Sequence, residues 1–192
     1  MMMKKILSLI LCLSLMLTAA AFAEAADDLF ADFAGMEWCF SSGAGGWSTD
    51  LRIESDGTFT GEYHDSEMGD AADAYPGGTV YFCAFTGKLS LAEQLDDHTW
   101  KITVDKLEKV PGEEAIDDGI RFLPAEPYGI SEGDTMILYA PGTPVSVLSE
   151  DMQFWAHLFD AETQPEELQD WFLMSEKNES GFVGYVPEEP QA

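Results

Sequence analysis

The stretch from Trp47 to Tyr63, WSTDLRIESDGTFTGEY, constrains the fold more than any other part of this 192-residue chain. Trp47, Thr49, Leu51 and Ile53 share one parity, and Ser48, Asp50, Arg52 and Glu54 take the other. After the break, Phe59, Gly61 and Tyr63 alternate against Thr58, Thr60, Glu62 and His64. Side chains alternate across a strand, so each half has one buried face and one wet face. Ser55-Asp56-Gly57 fits a three-residue hairpin loop, a type I turn closed by glycine in the left-handed region. Pairing Glu54 with Thr58 sets Ile53 opposite Phe59, Leu51 opposite Gly61 and Thr49 opposite Tyr63. A one-residue slip would turn the whole apolar set outward, so the register is well specified.

The first residues carry the pattern of an export signal. Lys4 and Lys5 precede an apolar run, Ile6 to Leu17, that is too short to span a bilayer, and Ala21-Phe22-Ala23 offers a small-x-small cleavage site. The chain is therefore expected to be secreted, with cleavage near Ala23. Cys12 follows Leu11, where lipid attachment would ask for a small residue, so it is expected to leave with the signal. The expected organisation is a signal at 1–23, an acidic N-terminal segment at 24–35 and a single domain at 36–192. No later apolar run is long enough for a membrane helix. With 36 acidic and 9 basic residues, the formal charge is −27, and losing Lys4 and Lys5 makes it more negative. Such a field repels nucleic-acid phosphate and anionic lipid and disfavours both as partners. Abundant apolar and aromatic residues still allow a folded core.

A first strand is expected around Glu37 to Ser41, then further strands at Thr79 to Leu89, Thr99 to Asp105, Gly119 to Leu123 and Thr135 to Ala140. Ala92 to Asp97 reads as a connector and Glu113 to Asp118 as a helical turn. The period changes after Ser149, a helix cap followed by Glu150 and Asp151 at the positive end of the helix dipole. Met152, Trp155 and Phe159 make a stripe expected to cover a barrel end or an outer face. Pro165 suits the start of a second short helix. Two last strands are expected at Trp171 to Ser175 and Gly181 to Val186. Many short antiparallel strands with one or two late helices predict a mainly β fold, a closed or nearly closed barrel, with a sandwich as the alternative. Parity turns Cys39 outward, beside inward Trp38 and Phe40, and Cys83 inward with Tyr81 and Phe85, which argues against a disulfide.

Gly35-Met36-Glu37-Trp38, followed by Gly57-Thr58-Phe59-Thr60-Gly61-Glu62-Tyr63, resembles the start of a calycin, the group that includes lipocalins and avidins. The likeness implies a β-barrel whose first-strand tryptophan, here Trp38, plugs one end. It also implies that Tyr63 faces a ligand cavity, where Tyr63 and Ser41 or Ser42 would donate hydrogen bonds to a polar ligand head. The wider pattern, including Ser41 to Thr49, Asp65 to Gly69 and Tyr81 to Lys88, resembles exported bacterial proteins of unknown function.

The candidate ligand-binding residues are the inward aromatics Trp38, Trp47, Tyr63, Tyr81, Phe85 and Trp100, which would either line a cavity or fill a small barrel. Gly61 opposite Leu51 leaves space on that face, which Trp47 or Trp100 could also occupy. Asp65, Glu67, Asp70 and Asp73 concentrate carboxylates in one loop and are the candidate ligands for calcium, though without EF-hand spacing. His64 beside Asp65 is placed outward with no serine or cysteine at an informative spacing. His98 and His157 complete three histidines without metal-ligand spacing. Asn178-Glu179-Ser180 has the form of a glycosylation sequon. No catalytic residue is assigned. The expected function is a secreted, non-enzymatic barrel that binds a small, partly apolar ligand or acts as an extracellular interaction module. The competing expectation is an extracellular hydrolase using acidic residues.

Overall fold

The opening hairpin forms in the expected register. β2 (Trp47–Ile53) and β3 (Thr58–Glu67) pair antiparallel with Ile53 opposite Phe59, Leu51 opposite Gly61 and Thr49 opposite Tyr63. The Glu54 N–H donates to the Thr58 carbonyl at 2.8 Å, Gly57 takes φ +81°, and Asp56 Oδ1 accepts the Thr58 N–H. Around this hairpin the computed structural model describes residues 26, 28–158 and 164–187; the expected export signal, Cys12 and Phe159 lie outside the described residues.

The remaining strands are β1 (Glu37–Ser41), β4 (Thr79–Asp96), β5 (Thr99–Lys109), β6 (Ala115–Asp117), β7 (Ile120–Pro124), β8 (Thr135–Tyr139), β9 (Trp171–Ser175) and β10 (Ser180–Tyr185). Eight of them close into an antiparallel barrel in the order β1-β2-β3-β4-β5-β8-β9-β10, with β10 pairing back onto β1. The sandwich alternative is thereby excluded. β4 is long enough to serve two neighbours along one edge. It pairs β5 from Phe85 onward, and before that point it pairs β7 in parallel, from Thr79 opposite Arg121 to Phe82 opposite Pro124.

Four local expectations are corrected. Ala92 to Asp97 is largely strand, because register shifts at Lys88/Leu89 and Leu91/Glu93 interrupt the alternation that would have betrayed it. β5 continues past Asp105 to Lys109. Glu113 to Asp118 contains β6 rather than a helical turn. Asp118 and Gly119 both take positive φ, +46° and +74°, and this Asp-Gly pair turns β6 directly into β7. The segment after Pro165 is extended: the Leu168 N–H donates to the Thr143 carbonyl, and the Val145 N–H to the Glu166 carbonyl.

The interior carries the predicted parity. Trp38, Phe40, Leu51, Phe85, Leu138 and Phe182 are at most 1 % exposed and belong to one contiguous buried cluster. The lower end of the barrel is covered by helical residues 28–32 and the turn after them, with Leu29, Phe30 and Phe33 buried. Phe33 meets Trp38 edge-on at 5.3 Å and Trp171 at 5.6 Å. A second apolar cluster lies outside the sheet. The helix Glu150–Trp155, capped by Ser149 Oγ accepting the Met152 N–H, packs Met152 and Leu148 against Tyr139, Phe172 and Met174. Met152 thus covers an outer face, as its stripe predicts. Burial on both faces explains why β9 reads WFLMS without alternation. Among the described residues, no helix is long and apolar enough to cross a membrane.

Candidate functional site

The six inward aromatics are not gathered at one place. Trp38 and Phe85 are fully buried and fill the centre, and the Trp38 indole N–H has no hydrogen-bond partner among the described residues. Trp100 packs at the lower end, 5.9 Å from Trp171. Tyr81 stands beyond the upper rim, where its hydroxyl donates to Asp70 Oδ2 at 3.0 Å; that bond and the carboxylate charge raise the phenol's pKa. Trp47 and Tyr63 reach the upper rim together. The space beside Gly61 is taken by Phe85, neither Trp47 nor Trp100: a Cβ on Gly61 would lie 2.3 Å from Phe85 Cε2.

Over that rim lies the loop 125–134, between β7 and β8. Thr49 Oγ1 donates to the Tyr128 carbonyl at 2.9 Å, and Ser180 Oγ donates to the Gly129 carbonyl. These two bonds hold Tyr128 across the mouth. Its ring stacks on Phe40 at 5.6 Å, meets Trp47 edge-on at 5.3 Å and lies 5.9 Å from Tyr63. Trp155 reaches the same cluster from the helix, 4.9 Å from Phe40 and 6.0 Å from Trp47. Burial, then the Asp65 charge, pushes the Tyr63 phenol above its ordinary pKa. These rings form an aromatic lid over the upper end of the barrel.

Outside this lid, the helix and the β9–β10 turn enclose an open groove of about 610 Å³. Tyr128, Phe154, Trp155 and Val147 provide its apolar wall, while Asp151, Glu176 and Glu179 provide carboxylates. Tyr128 is 46 % exposed, Val147 53 % and Phe154 57 %. The turn bearing Glu176 and Glu179 is fixed from below. Asn178 Nδ2 donates to Asp134 Oδ2 at 2.6 Å, the Asn178 N–H donates to Ser175 Oγ at 3.0 Å, and Ser175 Oγ donates to Asp134 Oδ2 at 2.5 Å. The sequon asparagine is thus engaged by its own fold, and its Ser180 is buried.

The carboxylates of the acidic loop take separate positions. Glu67 Oε1 accepts the Gly69 N–H, and Asp70 accepts Tyr81, while Asp65 faces Trp47 across the hairpin and Asp73 is exposed. Among the described residues, no three His, Cys, Asp or Glu side chains stand together where they could hold a metal ion.

On the outer face of β2 and β3 the fold creates a pairing invisible to short-range spacing. His64 lies opposite Ser48, with Nδ1 3.2 Å from Ser48 Oγ. Ser48 Oγ, however, donates to Asp50 Oδ2 at 2.5 Å. The hydroxyl has one proton, so His64 must act as the donor towards it, the reverse of a histidine withdrawing a nucleophile's proton. Asp50 lies opposite Glu62 in another open groove of about 610 Å³ on that face. Among the described residues Cys39 and Cys83 are both free, on opposite faces as parity requires.

No protein-family model, curated protein or solved structure matches the chain.

Proposed function

We propose that this protein is an exported, non-enzymatic, calycin-like β-barrel that binds a small, partly apolar ligand on its surface, in the groove beside the upper rim. The reading is carried by one observation: Tyr128, Val147 and Phe154, each close to half exposed or more, converge on the same groove. Large apolar side chains scattered singly need no explanation, but a cluster beside polar groups has the character of an interaction site. Its volume falls within the range of small-molecule pockets. The packed centre leaves the inward aromatics a supporting role, holding the lid and the groove wall rather than touching ligand.

A fragment screen by protein NMR tests the reading. Hits should perturb Tyr128, Val147, Phe154 and Asn178, and Phe154→Ala should abolish them. Hits that instead perturb Leu51, Leu138 and Phe182 would restore an interior site and overturn the groove. The hydrolase reading draws on Asp50 facing Glu62 in the opposite groove; hydrolysis of a glycoside or ester substrate lost in Asp50→Asn would favour it.

A further inference from the structure

We infer that the ligand of the upper groove is a small organic cation, an ammonium or alkylated ammonium carrying an apolar body. This rests on the groove being the binding site. Among the described residues, no lysine, arginine or histidine lines the groove, whereas Asp151, Glu176 and Glu179 do. All three side chains are exposed, and none forms an ion pair among the described residues.

The rest of the surface sharpens the contrast. Of the described basic residues, Arg52, Lys88, Lys101, Lys106, Lys109 and Arg121 each already have a carboxylate partner. The remaining one, Lys177, donates to Ser131 Oγ at 3.1 Å. An anionic ligand would thus meet acid with no cation in the groove to receive it. A neutral ligand would use the aromatic wall and leave the carboxylates idle. A cation uses both, since the electron-rich faces of Tyr, Phe and Trp attract positive charge and the carboxylates add Coulombic attraction. Phe154 and Trp155 lie 5.0 Å apart and edge-on, at 71°, so their faces are turned in different directions around the helix end. The turn that carries Glu176 and Glu179 is already ordered by Asn178, which lowers the cost of ordering on binding.

Three probes of similar size and different charge decide the matter: benzyltrimethylammonium, benzyl alcohol and benzoate, titrated separately and followed by NMR shifts of groove and control residues. The cation is expected to bind at the groove about tenfold more tightly than the alcohol, and benzoate weakest. Raising salt should weaken the cation alone. Glu176→Gln with Glu179→Gln should remove most of the cation's advantage, while Phe154→Leu should weaken cation and alcohol together. Equal affinity for cation and alcohol at the groove would overturn the inference and leave the groove reading standing. Absence of groove shifts with every probe would overturn both. Cation shifts confined to other acidic surfaces would show adventitious counterion binding and likewise overturn the inference.

Discussion

Phe85 occupies the space that glycine leaves at position 61. A Cβ there would fall 2.3 Å from Phe85 Cε2 and 2.9 Å from Leu51 Cδ2, closer than atoms can approach. β3 and β4 place the two residues directly opposite each other, and Leu51 on β2 faces the same glycine from the other side. The glycine's missing side chain is therefore a packing requirement, and the space it leaves on the inner face is filled by the Phe85 ring.

Gly61→Ala should destabilise the fold by about 1–3 kcal/mol through overpacking. Phe85→Ala should cost more, about 3–5 kcal/mol, through the cavity it leaves. The two changes combined should cost clearly less than their sum, because the added methyl then enters vacated space. Urea denaturation of the four proteins measures this coupling. Additive losses would mean that the ring and the glycine do not share the site.

The N-terminal segment should be integral to the barrel despite its acidic appearance. Phe33 is buried between Trp38 and Trp171 at the lower end. Phe33→Ala should cost about 3–5 kcal/mol and shift tryptophan emission to the red as water reaches the indoles. Unchanged stability and emission would show the lower end closed by something else.

The cysteines face opposite sides of the sheet and should both be unreactive, because burial raises both thiols. Burial first, then the hydrogen bond and charge of Asp50, pushes the Cys39 thiol up to about 11. Burial likewise raises Cys83. The thiolate is the nucleophile, so iodoacetamide at pH 8 should label neither in the folded protein and both in urea. Because the folded pKa of Cys39 lies above its unfolded value, its contribution to stability is complete below pH about 9. It is lost as pH rises towards about 11, where the unfolded chain has already given up its proton. Asp50→Asn removes the charge that adds to the effect of burial and should speed Cys39 labelling. Folded-state labelling at the rate seen in urea would refute this placement of the thiols.

Local alternation made the hairpin, the cysteine faces and the inward set legible, because each depends on period two and one turn. What escaped the sequence reading depends on long-range closure. Bulges at Lys88/Leu89 and Leu91/Glu93 break the parity of β4 and disguise its second half. The parallel match of β7 to β4 has no local signature, since both strands read the same whichever way they pair. Tyr128 was hidden between Pro127 and Gly129 in a stretch that only punctuates; an aromatic held between two turn residues is the one signal that could have marked it. Ser48 and His64 are 16 positions apart, yet the register legible in the alternation places them opposite each other.

Asp134 should be the polar residue on which the upper rim most depends. It is 2 % exposed, and its Oδ2 accepts from Ser175 Oγ at 2.5 Å and from Asn178 Nδ2 at 2.6 Å. Its backbone carbonyl accepts the Val104 N–H at 2.9 Å, tying the same residue to β5. Removing the carboxylate leaves the buried Ser175 hydroxyl without its acceptor, at about 1–3 kcal/mol, and takes from the half-buried Asn178 amide its bond to a charged group, worth about 1.5–3 kcal/mol, leaving it the Ser131 and Ser175 hydroxyls. Asp134→Ala should therefore destabilise the protein by about 2–5 kcal/mol, with faster hydrogen exchange first in the 175–180 turn. Asp134→Asn retains an oxygen acceptor and should lose less. In both variants the turn that presents Glu176 and Glu179 loosens, so cation affinity at the groove should fall even at temperatures where the barrel stays folded. A loss of stability without any change in the exchange of that turn would separate Asp134 from the groove and make its role purely one of core packing.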